Sequence, residues 1–310
     1  MSASPVLVVG SVAFDTLHLP SGSHPKVLGG SATFASLAAS HFAPVRLVGV
    51  VGRDWPGRAT RMLGDHRVDT SGLEVDACGD TFHWEGKYAS DLSSRETLAT
   101  DLNVFADFSP KIPAAFRRSR WVMLGNIHPA LQLEVLGQME ESGLVVADTM
   151  NFWIRGELPA LKKTLRRVDL LVLNDEEARE LSGEHNLVRA ARALMRMGPR
   201  IVIVKKGEHG ALLFEGPNVF SAPAYPTTEV MDPTGAGDTF AGGLIGYIAG
   251  RGNSRHETLR SAVIFGSTLA SFCVEGVGTS RLQSVTHGQI ARRVGRFQKI
   301  VRFGPDAKPR

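Results

Sequence analysis

The sequence predicts an α/β fold: a central, mainly parallel sheet flanked by helices on both faces, with a small β lid projecting from it. Three observations carry that expectation. Short apolar, β-branched runs alternate with segments of helical spacing along most of the 310 residues. The runs are apolar throughout, as strands covered on both faces are. One region, 73–108, breaks the rhythm with a half-polar stretch rich in β-formers.

The elements follow in order. Val6-Leu7-Val8-Val9, closed by Gly10, reads as the first buried strand, and 32–41 as the first helix. A strand over 46–51 and a helix over 58–63 come next. Runs at 121–124 and 144–147 read as strands on either side of a helix near 131–141. A strand over 169–173 leads into helices near 176–181 and 187–197. Strands over 201–204 and 211–214 are joined by a Gly-containing turn. Two long helices, about 237–250 and 255–274, precede a final helix over 286–299. The stretch Thr81-Phe82-His83-Trp84-Glu85-Gly86-Lys87-Tyr88 alternates and suits a strand. It is read as part of a lid drawn from about 12–20 and 73–108, paired with 14–19. No Pro/Gly/Ser linker or internal repeat divides the chain, so a single domain over 1–310 is expected.

Composition excludes several classes. At 43% hydrophobic and 21% charged, the chain is ordinary for a globular protein. Its formal charge of +4 is local: 292–310 hold seven Lys/Arg and one acid, a net of +6 that leaves −2 elsewhere. That stretch is read as a basic C-terminal helix and tail with a solvated face, not as a nucleic-acid or membrane surface. Cys78 and Cys273 form no C-x-x-C, which fits free thiols in a reducing cytoplasm. No signal peptide or membrane-spanning apolar run is read. H-E-x-x-H, G-x-S-x-G and an N-terminal G-x-G-x-x-G are all missing. The last absence argues against a nicotinamide-dependent oxidoreductase.

The most informative run is Val230-Met231-Asp232-Pro233-Thr234-Gly235-Ala236-Gly237-Asp238-Thr239-Phe240. It places small residues and then an acid at a helix start. Unpaired N–H groups and the helix dipole suit a phosphate there. Gly235, Ala236 and Gly237 would let phosphoryl oxygens approach that backbone closely. Asp238 beside them makes little sense for holding an anion alone. It makes sense for taking a proton from an attacking hydroxyl. A plain Gly-rich cap is the bland alternative, and no Walker P-loop is present.

This run resembles the D-T-x-G-A-G-D signature of the ribokinase-like (phosphofructokinase-B) carbohydrate kinases, with Pro233 standing where a second Thr is frequent. A second match is Gly29-Gly30-Ser31-Ala32-Thr33 after an N-terminal strand. The resemblance spans Asp15 to Thr279 with motifs in the family order. It implies transfer of the ATP γ-phosphoryl group to a primary hydroxyl of a sugar or nucleoside, with Mg²⁺. It places Asp15, Gly29 and Gly30 at the acceptor. Phe34 stands where many members carry an Asn that binds sugar hydroxyls. Strand-end Asn126 and the Asp148-Thr149-Met150-Asn151 element join the acceptor list. The family's N-x-x-E element, which organises Mg²⁺ through water, falls on Asn174 and Glu177, residues that also read as an N-cap and first-turn acid. Lys206, Gly207 and Gly210 of the turn after 201–204 are placed at the nucleotide phosphates, with Lys206 or His209 adding positive charge. Gly278 falls in the adenine-pocket segment, where Asp232 and Thr234 would hold a monovalent cation such as K⁺. The lid aromatics Phe14, Phe82, Trp84 and Tyr88 either pack the lid or stack on a base. A nucleoside acceptor, a free-sugar acceptor, a non-catalytic sensor and a homodimer through the exposed lid edge all stay open at this point.

Overall fold

The computed structural model describes residues 3–302. The end of the basic tail, with Asp306, Lys308 and Arg310, lies outside the described residues. In chain order the strands are β1 (Val6–Val9), β2 (Ala13–Leu19), β3 (Gly22–Gly29), β4 (Val45–Gly52), β5 (Val68–Asp76), β6 (Phe82–Tyr88) and β7 (Arg95–Asp101), then β8 (Trp121–Leu124), β9 (Leu144–Asp148), β10 (Leu170–Asn174), β11 (Ile201–Lys205), β12 (Ala211–Glu215) and β13 (Asn218–Ala222). The helices are α1 (Ser31–Ser40), α2 (Gly57–Asp65), α3 (Pro129–Gln138), α4 (Asn151–Gly156), α5 (Leu158–Leu165), α6 (Asp175–Ser182), α7 (Leu187–Met195), α8 (Ala236–Arg251), α9 (His256–Cys273), α10 (Ser280–Ser284) and α11 (His287–Val301).

Nine strands form one sheet in the order β13-β12-β11-β10-β9-β8-β1-β4-β5. From β11 to β5 every pairing is parallel, and β12 and β13 close one edge antiparallel. Strand alternation divides the core between the two faces. Val6 and Val8 pack with α1, α8 and α9, whereas Leu7 and Val9 pack with Val135 and Leu136 of α3. Leu171 and Leu173 of β10 pack with α5, α6 and α7. Helix α8 presses closely on α1. A Cβ added to Gly242 would sit 2.3 Å from the Ala35 carbonyl oxygen, and one on Gly246 2.6 Å from Ala39 Cα. Only glycine permits that approach, and it brings the head of α8 over the centre of the sheet.

The small sheet has the order β3-β2-β6-β7. β2 and β6 pair in parallel with Ala13 opposite Phe82, so the expected pairing of 14–19 with 81–88 is observed. Two boundaries differ from expectation. Residues 73–76 end β5, which extends the edge of the large sheet beside β4 and lies outside the lid. Residues 22–29, outside the stretches expected to form the lid, form lid strand β3. β3 carries Pro25 and is mostly exposed, so it has neither the donor set nor the apolar alternation that marks a strand in sequence. The lid's inner face buries Leu17, Leu19 and Tyr88 against Val27, Trp84, Leu92 and Val277. The lid thus rests on the turn that follows α9. Its outer face carries Thr16 bonded to His83 (2.9 Å) and His18 bonded to Glu85 (2.7 Å).

Candidate active site

The carboxyl ends of the parallel strands converge where open α/β sheets place their ligands. Here β9 ends in Asp148, β10 in Asn174 and β11 in Lys205. The Asp232–Asp238 loop crosses above them. Asp232 is fully buried and accepts from the Thr234 N–H (2.9 Å) and the Gly278 N–H (2.8 Å), tying the loop to the turn after α9. Thr234 Oγ1 is bonded to Tyr88 Oη of the lid at 2.8 Å. Gly235 is the N-cap of α8 with φ of 72°, and a Cβ there would lie 2.5 Å from the Phe34 ring. Left-handed backbone and lack of room both require glycine.

Of the three amides expected to receive a phosphate, those of Gly235 and Gly237 have no protein acceptor among the described residues, while that of Ala236 makes a 3.3 Å bond to Pro233 O. Phe34, expected at the acceptor, is 1% exposed and belongs to the core beneath Gly235. An aromatic ring in place of a polar side chain can be buried there, so it supports the loop instead of meeting an acceptor. Phe34→Ala is expected to cost about 3–5 kcal/mol, the range for a lost core phenylalanine, read as a shift in the urea midpoint.

Three acids, Asp148, Glu177 and Asp238, share the cleft with Lys205. Lys205 Nζ lies 3.4 Å from Asp148 Oδ2, and a Cβ on Gly237 would be 2.9 Å from it. The ammonium therefore sits against the first turn of α8. Burial works against its charge, but Asp148, Glu177 and Asp238 outweigh that and hold its pKa above the ordinary lysine range. Asp238, in the first turn of α8, is pushed up to about 7, by desolvation first and by Asp148 second, against the pull of Lys205 and Arg95. Glu177 is likewise raised to about 7 by burial, with Lys205 opposing and Asp148 adding. Positive charge is short in this cleft. A divalent cation arriving with a polyphosphate fits that donor set, since Mg²⁺ is held by few carboxylates and keeps several waters.

Asn174 and Glu177 form a capping box on α6: Asn174 Oδ1 accepts from the Glu177 N–H and Glu177 Oε2 from the Asn174 N–H, both at 2.8 Å. Both readings of this pair are compatible. The box uses one oxygen of Glu177 and leaves Oε1 without a protein donor among the described residues.

Asp15 of β2 is 4% exposed, lies against Gly29 and has no hydrogen-bond donor among the described residues. Burial, then Asp232 and Asp238, raise it to about 7, with Arg95 opposing. A buried carboxyl without a donor keeps its acceptor capacity unused. Gly30 caps α1 with φ of 91°, packed on Ser11 O. Asn126 Oδ1 accepts from Trp153 Nε1 at 2.9 Å, so its carbonyl end is engaged.

Two charged residues that face the cleft were not read from the sequence. Lys205 is the last residue of β11, in register with Asn174, and strand alternation directs it inward. Lys206, expected at the nucleotide phosphates, forms no ion pair with the cleft acids among the described residues, and His209 is exposed beside Glu208. Gly207 and Gly210 do take positive φ (53° and 88°) in the β11–β12 connection. The strand-end rule, applied to 201–204 plus one residue, would have found Lys205. Arg95 stands in β7 opposite Tyr88, with its guanidinium 5.6 Å from the Trp84 ring centre. No local motif marks it, because only the lid's pairing carries it over the acids. Among the described residues no cluster of three or more His, Cys, Asp or Glu side chains could hold a metal by itself, and no helix is long and apolar enough to cross a membrane.

A helix start with open amides, a carboxylate beside it, an embedded lysine and a lid over a parallel sheet define a phosphoryl-transfer enzyme of the sugar and nucleoside kinase class. Residues 6–285 match the pfkB family carbohydrate kinases, and the chain belongs to that family. It is 31% identical to a cytidine kinase of Thermococcus kodakarensis over 79% of this chain and 89% of the relative. Its fold is similar to that of the aminoimidazole riboside kinase of Salmonella enterica, solved with aminoimidazole riboside and an ATP analogue (TM-score 0.75, 22% identity, 94% of this chain and 99% of the other). It is also similar to a fructokinase double mutant of Vibrio cholerae, solved with fructose, ADP and potassium (TM-score 0.78, 21% identity, 94% and 99% covered). The fold is that of ribokinase, and the chain is an ATP-dependent carbohydrate or nucleoside kinase.

Proposed function

We propose that this enzyme transfers the γ-phosphoryl group of ATP to a primary hydroxyl of a nucleoside or sugar, with Asp238 as the general base. The observation that carries this reading is the placement of the Asp238 carboxyl in the same helix turn as the open amides of Gly235 and Gly237, against Lys205. Asp238 accepts the hydroxyl proton as the oxygen attacks. The Gly235 and Gly237 amides and the Lys205 ammonium receive the charge on the transferring group's oxygens. Mg²⁺, when bound with ATP, neutralises the triphosphate, and the free Oε1 of Glu177 and the end of Asn174 would orient its waters. Asp15 takes acceptor hydroxyls through its two oxygens. Gly30, Asn126 and Asp148 complete the walls on that side. Gly207, Gly210 and Gly278 border the nucleotide. The lid, tied to the loop through Tyr88 and Thr234, excludes competing water. Asp232 and Thr234 are the proposed monovalent-cation ligands; the fructokinase structure that holds potassium supports that reading. Each Asp232 oxygen already accepts one backbone amide, so a cation would use the remaining lone pairs.

The identity with a cytidine kinase favours a nucleoside over a free sugar as acceptor. The test is ADP release measured across nucleosides, pentoses, hexoses and keto-acid sugars. Turnover with a nucleoside above all free sugars is the expected result. ADP formation without acceptor dependence, or none with any acceptor, overturns the reading.

The base must be ionised to act. With Asp238 raised to about 7, kcat/KM is expected to fall about tenfold per pH unit below roughly pH 7 and to level off above it. A profile flat down to pH 5 would remove Asp238 from the role.

A further inference from the structure

We propose that the cavity between the end of α9, α10 and α11 is a second binding site, for a phosphate-bearing small molecule. The cavity measures about 130 Å³ and is lined by Phe272, Arg281, Gln289, Arg292, Arg293 and Arg296. Three of its arginines come from one face of α11 and the fourth from α10. Two of them are built in. Arg293 bonds Glu275 at 2.8 Å and Ser271 Oγ at 3.0 Å, and its guanidinium lies 3.5 Å from the Phe272 ring centre. Arg281 reaches Glu275 at 3.7 Å and lies 5.1 Å from the same ring. Arg292 and Arg296 have no acidic partner among the described residues. Four guanidinium groups therefore surround one concavity with one carboxylate to offset them. Such an arrangement is self-repelling until an anion enters, and planar forked donors match phosphate oxygens. A concave site with a fixed floor, in place of a flat basic stripe, selects a compact anion over a nucleic-acid backbone. None of the residues assigned to phosphoryl transfer lines it.

The site has a route to the cleft. Glu275 belongs to the turn whose Gly278 N–H holds Asp232 at 2.8 Å, at the root of the phosphate loop. A phosphate group in the cavity competes with Glu275 for Arg281 and Arg293 and loosens that turn. Occupancy is therefore linked to ATP affinity, a coupling that rests on the kinase reading, whereas the binding site does not.

The test uses pyrophosphate as probe, titrated calorimetrically into the full chain with the nucleotide site filled by ADP. One saturable site is expected in wild type. In R292Q/R296Q, which removes two exposed side chains, the affinity is expected to fall at least about tenfold, equivalent to one charge-assisted contact. At fixed free Mg²⁺, pyrophosphate is expected to change the KM for ATP about threefold or more in wild type and not in the double variant, whose basal kcat is unchanged. No binding in wild type, or equal binding in the variant, overturns the site. Equal KM effects in both proteins would place pyrophosphate at the ATP site and overturn the coupling.

Discussion

Replacing Asp238 by asparagine is expected to lower kcat by about 10²–10⁴, the range for a lost general base, while making the ligand-free protein more stable above pH 7. The two effects have one cause. Burial and the neighbouring Asp148 raise the folded-state pKa of Asp238 from 3.8 to about 7. Between those values the folded protein holds a proton that the unfolded chain releases. Stability from this group is complete below about pH 4 and is lost as pH rises through about 7. Asparagine never pays for ionisation. The variant is expected to exceed wild type by about 1–3 kcal/mol at pH 8, a discounted figure from about 1.4 kcal/mol per pKa unit. The difference closes at pH 4. Chemical denaturation at the two pH values, alongside turnover, reads both. A kcat near that of wild type would disprove the base assignment, and equal stabilities at pH 8 would disprove the buried-carboxylate account.

Lys205→Met is expected to damage the cleft in a second, separable way. Lys205 is embedded among Asp148, Glu177 and Asp238. Methionine preserves the bulk of the stem and removes the charge. The three acids then face each other with only the weaker pull of Arg95 to offset them, so Asp238 ionises at still higher pH and the acid limb of kcat/KM moves upward. Loss of a charged donor to the transferring group adds about 10²–10³ in kcat. The double readout separates electrostatics from folding: a misfolded variant loses activity at all pH values, whereas this one recovers in part as pH rises. An unshifted acid limb would show that Lys205 does not act on the base. Lys205→Arg keeps the charge in a bulkier, forked group and is expected to restore the limb before it restores kcat.

Much of this molecule was legible as sequence, for reasons that differ between elements. The buried strands at 6–9, 121–124, 144–147 and 201–204 are continuous apolar runs, because a parallel strand under helices on both faces has no polar side. The 232–238 loop was legible because a helix start that admits an anion needs small residues in order, and such an order rarely arises otherwise. Asn174 and Glu177 were legible as a pair because the capping box and the family element use the same spacing. The edges were not legible. β3, β5 and β13 are half-exposed, and Pro25 interrupts the first, so their residues follow solvent as much as pairing.

Local chemistry therefore determined the alternating α/β architecture, the helix start that can cup a phosphate and the acid that follows it, since each depends on residues close in the chain. Tertiary structure alone decided that Phe34 lies under Gly235, that Lys205 and not Lys206 enters the cleft, and that Arg95 reaches the acids from the lid. Those outcomes depend on strand register and on burial between segments far apart in the chain. The raised pKa values of Asp15, Glu177 and Asp238 belong to the same class, because desolvation is a property of the assembled cleft and not of any residue's neighbours in sequence.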